Sequence, residues 1–315
     1  MAKMKMIIDC DTGIDDALAI AYILSNPDID LIGVVATFGN TYLKDCIRNS
    51  IGILENFDRY DVKVYAGSSH GLNEGSFEKH TGSDPVHGKN GIGDVDLGEN
   101  KGTVQDVSGI DFIVDSARKY GQDLHLVFVG PLTDLYKCIE KDEEALCEVG
   151  KITIMGGALT VQGNRDIYSE ANIASDPLAA KKVFSSKLKI DVIPLDVTLK
   201  TLFRVKDIAH WNNSNKAGKN IYEIARFYYE GEYGDEQIGG AMHDPLAAFA
   251  SYDPSIITNW FPCNLTAEDS GRTICTFEEL NLKEKRHRVA LDVDGKRFTD
   301  TYIDMVSKLI EKCGL

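Results

Sequence analysis

The stretch Lys5-Met6-Ile7-Ile8-Asp9-Cys10-Asp11-Thr12-Gly13-Ile14-Asp15-Asp16-Ala17 decides the fold. It opens as a short apolar strand over residues 5–8 and breaks at a turn rich in aspartate. A helix follows at once, with Asp15 and Asp16 in its first turn, where carboxylates suit the positive end of the helix dipole. The apolar body of that helix is residues 17–24, the longest uninterrupted apolar run in the sequence and far too short to span a bilayer.

Working outward, the same strand–helix alternation repeats. Strands are predicted at 31–37, 62–66, 125–129, 152–155 and 189–194, with helices at 45–57, 110–120, 132–140 and 177–184. Residues 208–233 read as helical, and His243-Asp244-Pro245 opens a further helix with proline at a favoured first position. Short strands at 263–267, 272–276 and 288–291 precede a closing helix at 295–313. Two irregular segments, 67–107 and 156–175, interrupt the pattern and read as binding loops. The prediction is one large α/β domain over residues 1–315: a Rossmann-like, mostly parallel open sheet flanked by helices.

Composition bounds the function. The 315 residues are 43% hydrophobic and 26% charged, ordinary for a chain that buries a core. A formal net charge of −15, with no basic cluster, argues against nucleic acid and anionic membrane as partners. Seven widely spaced cysteines without a CxxC pair point to reduced thiols in a cytoplasm. Lys3 and Lys5 precede an apolar stretch that stops at Asp9, too early for a signal peptide.

Ligands in open α/β sheets sit beyond the carboxyl ends of the strands. After the first strand those residues are Asp9, Asp11, Asp15 and Asp16. Helix capping explains two of these carboxylates but not four. A rigid turn offering only oxygen ligands suits a hard divalent cation such as calcium or magnesium. An EF-hand loop counted from Asp9 would want Glu where Ile20 stands. A dehalogenase-type phosphatase would want Thr or Val where Gly13 stands.

The signature Asp9-Cys10-Asp11-Thr12-Gly13-Ile14-Asp15-Asp16-Ala17 resembles that of the inosine-uridine preferring nucleoside hydrolases. Further blocks follow in that family's order: Gly39-Asn40, His87-Gly88-Lys89-Asn90-Gly91, Gly130-Pro131-Leu132-Thr133, Met155-Gly156-Gly157, Glu170-Ala171-Asn172, Asp196-Val197-Thr198 and His243-Asp244-Pro245. The resemblance implies calcium-dependent hydrolysis of the N-glycosidic bond of ribonucleosides, for nucleoside salvage, by a homodimer or homotetramer. It implies Asp11, Asp16, Asp244 and the Val129 carbonyl as calcium ligands. Asp11 would be the general base and His243 the acid at the leaving base. Asp15, Asn40, Glu170, Asn172 and Asp244 would hold the sugar, Met155 would pack on it, and His87 would face the base. Tyr228, Tyr229 and Tyr233 are candidates for an aromatic lid.

Three positions depart from the family pattern: Thr12 stands for Pro, Val129 for Thr and Asp134 for Asn. Two rival functions predict different chemistry. A silent nucleoside- or ribose-binding protein needs neither Asp11 as base nor His243 as acid, and a magnesium-dependent phosphatase would use Asp9 as nucleophile.

Overall fold

The computed structural model describes residues 3–232, 239–275 and 285–313. The quoted stretch folds as strand β1 (Met4–Cys10) running into helix α1 (Ile14–Ser25). The alternation continues through β2 (Ile29–Ala36), α2 (Leu43–Asn56) and β3 (Val64–Ala66). A one-turn helix α3 (Ser83–His87) and strand β4 (Val104–Ser108) lie inside the segment read as irregular. Then come α4 (Gly109–Tyr120), β5 (Leu124–Phe128), α5 (Thr133–Cys147) and β6 (Lys151–Met155). Two short helices, α6 (Ala171–Ser175) and α7 (Pro177–Ser185), lead to β7 (Ile190–Ile193), α8 (Leu195–Thr198) and β8 (Leu202–Phe203). The remainder is α9 (Lys216–Glu232), β9 (Gly240–Ala241), α10 (His243–Tyr252), β10 (Ile257–Cys263), β11 (Leu265–Ala267), β12 (Thr273–Cys275), β13 (His287–Val293) and α11 (Gly295–Lys312).

Nine strands form one sheet in the order β10-β13-β7-β6-β5-β1-β2-β3-β4. Every pairing is parallel except β10 with β13. The chain winds outward from β1 to β4, then crosses back to place β5 on the other side of β1. Strand order therefore reverses between β1 and β5, which opens a crevice at their carboxyl ends. Asp9 of β1 pairs with Val35 and with Phe128, so Asp11 leaves the sheet at that crevice.

Apolar residues on each face of the sheet feed a separate core. One gathers α1, α2, α9, α10 and α11; the other gathers α4, α5 and α7. Helix α1 is buried from Ile14 to Leu24, because helices cover it on the side away from the sheet. Its apolar run is thus a core helix read correctly as unfit to cross a membrane, and among the described residues no helix is long and apolar enough to do so.

Several boundaries differ from the sequence reading. Helix α5 runs on to Cys147 past a break at Asp142 (φ −163°, ψ 80°) that masks its second half in the pattern. The strand expected at 263–267 is β11, while the antiparallel edge strand β10 before it was not anticipated; it carries Pro262, which an edge tolerates because no ladder needs its N–H. Tyr233 and the rest of the segment up to residue 238, together with Thr276, lie outside the described residues.

Candidate active site

A cleft of about 400 Å³ opens over the β1–β5 crevice, in the size range of small-molecule sites. It is lined by Asp11, Asp15, Asn40, His87, Val129, Met155, Glu170, Asn172, His243 and Asp244. Asp16 sits directly behind this lining, fully buried. The turn after β1, the loops after β2, β3, β5 and β6, and the start of α10 deliver these side chains, which lie as much as 233 residues apart in sequence and meet because the sheet collects its strand ends.

The carboxylates share one arrangement. Asp11 accepts the Asn40 amide at 2.6 Å through Oδ2. Asp15 accepts the amides of His243 and Asp244, both at 2.9 Å, through Oδ2. Asp16 accepts the Gly13 amide at 2.9 Å and Asn40 Nδ2 at 3.1 Å, again through Oδ2. The Oδ1 atom of each receives no donor, although each is buried. Buried polar atoms are normally satisfied, so three orphaned carboxylate oxygens in one turn call for a cation.

Burial is the main force on their proton affinity. It raises Asp11 and Asp244 well above the usual carboxylate range, lifts Asp16, and pushes Asp15 up to about 8 against the two amides it accepts. Repulsion from Asp16 adds to the rise at Asp11, Asp15 and Asp244. A divalent ion would relieve both effects. As the side chains stand, no group of three or more His, Cys, Asp or Glu among the described residues is arranged to hold an ion outright. The fit to a hard cation therefore rests on the free oxygens and on the all-oxygen donor set.

Asn172 donates Nδ2 to the carbonyls of Val129 (2.8 Å) and Met155 (3.2 Å), locking together the ends of β5 and β6. Glu170 caps α6: it accepts the amides of Asn172 (2.8 Å), Ile173 (3.1 Å) and Gly157 (3.0 Å). These two residues thus build the wall they line. Gly13 permits close approach on the other side, since a Cβ there would lie 2.7 Å from both Asn40 Nδ2 and His87 Nδ1.

The histidines are neutral. Burial lowers His243 to about 4 and His87 to about 3, with Lys79 adding repulsion at His87. The Ile14 amide donates to His87 Nδ1 at 3.4 Å, so the proton of this neutral ring resides on Nε2. His87 stacks on Tyr228 with centroids 5.8 Å apart. His243 Nδ1 lies 2.7 Å from the Thr198 hydroxyl.

Of the proposed aromatic lid, Tyr228 lines the cleft, whereas Tyr229 turns inward against Phe203 at 5.0 Å. Asp9 does not line the cleft. It is 1% exposed, beside Asp134, with both carboxyl oxygens buried and without a hydrogen-bond partner, a position closed to any nucleophilic role on a phosphate ester. Cys10 is buried with a raised pKa, an inert thiol. Sequence reasoning missed Asn164, Arg165, His80 and Leu199 in the lining; their one signal was membership of the two irregular segments or, for Leu199, adjacency to Thr198.

An open α/β sheet with a carboxylate-rich turn at its switch point defines a class of cleft suited to a polar ligand at the strand carboxyl ends. The chain belongs to the inosine-uridine preferring nucleoside hydrolase family, whose sequence profile matches residues 6–300. It is 36% identical over 259 residues to the probable uridine nucleosidase 2 of Arabidopsis thaliana, covering 81% of this chain and 80% of that one. It is 28% identical over 309 residues to the pyrimidine-specific ribonucleoside hydrolase RihA of Escherichia coli, covering 96% and 97%. In structure it is similar to a purine-preferring ribonucleoside hydrolase from Gardnerella vaginalis, with a TM-score of 0.94, 40% identity and coverage of 98% and 99%.

Proposed function

We propose that this chain hydrolyses the N-glycosidic bond of ribonucleosides with the help of a bound calcium ion, releasing ribose and free base. The observation that carries this reading is the set of half-used carboxylates: Asp11, Asp15 and Asp16 each give one oxygen to protein donors and leave the other free. Asp11, Asp16 and Asp244, with the Val129 carbonyl, would hold the ion. When bound, such an ion makes a neighbouring water more acidic and chelates vicinal hydroxyls, which favours ribose over deoxyribose.

Asp11 takes the proton of the attacking water as its oxygen closes on C1′. The anionic surround stabilises the oxocarbenium-like charge that develops on the sugar. Asp15, Asn40, Glu170, Asn172 and Asp244 orient the ribose, and Met155 packs against it. His87 directs an Nε2–H toward the base, and the proton that the departing nitrogen acquires reaches it through His243. Direct water attack inverts configuration at C1′. The seven free cysteines support a reducing, cytoplasmic setting.

The test is release of reducing sugar from uridine, cytidine and inosine and from their 2′-deoxy counterparts, by wild type and Asp11→Ala. The proposal expects sugar from the ribonucleosides alone, lost in the variant. Nucleoside binding without release by wild type would replace it with a silent binding protein.

A further inference from the structure

The Asp196-Val197-Thr198 block follows closely on β7, and the reading under Proposed function gives it no part. Asp196 ties down the loop after β6, accepting the amides of Leu159 (2.9 Å) and Thr160 (2.8 Å). Thr198, the last residue of α8, is fully buried, and among the described residues its hydroxyl has one hydrogen-bond partner, His243 Nδ1 at 2.7 Å. A buried hydroxyl needs an acceptor for its proton, so Thr198 donates and Nδ1 accepts. The nitrogen that accepts cannot carry the ring proton, which in a neutral imidazole then lies on Nε2. Nδ1 is turned into the fold toward Thr198 while the ring lines the cleft, so the cleft side of the ring is the side of Nε2.

The backbone holds the two residues in register. Strands β8 and β9 pair antiparallel, with Leu202 opposite Ala241 and Phe203 opposite Gly240. Beyond that ladder the Met242 amide donates to the Thr201 carbonyl at 3.1 Å. The Thr201 hydroxyl is shared between the carbonyls of Thr198 (2.8 Å) and Met242 (3.2 Å). The His243 amide is meanwhile fixed on Asp15 Oδ2 at 2.9 Å. Main chain and ring of His243 are thus anchored separately, the first by the carboxylate turn and the second by Thr198.

We propose that Thr198 is a positioning residue for the glycosidic cleavage: it holds His243 with Nε2–H directed at the departing base. The inference rests on the proposed nucleoside hydrolysis and adds no covalent step to it. As the C1′–N electron pair moves onto the base, an N–H aimed at that nitrogen stabilises the growing charge, whereas the other tautomer presents a lone pair that repels it. The contribution scales with how much help the leaving group needs. Uridine and inosine expel a basic nitrogen, while p-nitrophenyl β-D-riboside expels a phenolate that is stable without a proton.

The test compares wild type, Thr198→Val and Thr198→Ser on uridine, inosine and p-nitrophenyl β-D-riboside. Valine keeps the branched shape and removes the hydroxyl. Thr198→Val should lose at least ten times more kcat on the two nucleosides than on the nitrophenyl riboside, with KM for the nucleosides within threefold of wild type. Thr198→Ser, which restores the hydroxyl, should recover nucleoside kcat to within threefold. Loss by the same factor on all three substrates marks a structural role and overturns the inference, as does the absence of any loss. A second measurement needs only wild-type folding: long-range proton–nitrogen correlation spectra of the histidine rings, with His243 assigned from the signal missing in His243→Gln. Nε2–H is expected at His243, and Nδ1–H overturns the inference. Failure of wild type on uridine and inosine, with the tautomer as expected, instead removes the reading on which it rests.

Discussion

Replacing Gly39 by alanine tests whether the position of the Asp11 carboxylate governs activity. Gly39 has φ +152°, and a Cβ built there would lie 2.1 Å from Asp11 Oδ2 and 2.8 Å from its Cγ. Ordinary contact begins near 3.4 Å, so the carboxylate must retreat by roughly 1 Å, a displacement on the scale that costs about 100-fold in rate. Retreat also breaks the 2.6 Å bond from the Asn40 amide, a charge-assisted bond worth about 1.5–3 kcal/mol. The unfavourable φ adds about 1–2 kcal/mol. Gly98→Ala is the control, since Gly98 has φ +90° but open space around its Cβ. Both variants should lose about 1–2 kcal/mol from backbone strain, and Gly39→Ala about 1.5–3 kcal/mol more from the broken bond, read by urea unfolding. Only Gly39→Ala should lose about 100-fold in kcat/KM for nucleoside hydrolysis. Activity of Gly39→Ala within threefold of wild type, or an equal loss in Gly98→Ala, would refute the reasoning.

Asp15→Asn keeps an acceptor for the amides of His243 and Asp244 but removes its charge. Each of the two bonds should weaken by about 1 kcal/mol, or about 30-fold together in kcat/KM, with the circular dichroism spectrum unchanged. Asp134→Asn should raise the melting temperature. Asp9 and Asp134 are buried in contact, and the Ser68 amide and hydroxyl donate to Asp134, so an asparagine can accept from Ser68 and donate to Asp9. Burial raises both pKa values, so the folded state holds protons that the unfolded state has released, and stability drains as pH rises. The variant should show a shallower decline on the alkaline side, measured by urea midpoints across pH. His125 behaves oppositely. Burial lowers it from 6.5 to about 4, so the unfolded state binds more protons and stability is lost as pH falls from 6.5 toward 4. At about 1.36 kcal/mol per unit, the loss reaches up to about 3 kcal/mol, and His125→Asn should flatten that part of the profile.

The frame was legible because parallel strands buried on both faces, such as residues 126–128, read as apolar runs, and each helix between them keeps a period near 3.6. The site residues were legible where a strand end fixes them: Asp11, Val129 and Met155 follow directly from β1, β5 and β6. Asn164 and Arg165 escaped notice because a loop residue's direction depends on distant partners. The Asn164 bond to the Ala171 amide has no periodic signature. Glu170 and Asn172 were named as sugar ligands, yet their work as a helix cap and as a clamp across two strands emerges only once β5, β6 and α6 are assembled. The Asp9–Asp134 contact likewise needs two strand ends and a helix start in register, although Asp134 stood out as a departure from the family pattern.

The most direct test of the carboxylate cluster is calorimetric titration of metal-stripped protein with calcium, followed by uridine and inosine hydrolysis at each point. One ion per chain should bind, activity should return in proportion to occupancy, and Asp16→Ala should lose the binding. Full activity in protein verified to be free of metal, or undiminished calcium binding in Asp16→Ala, would contradict the account.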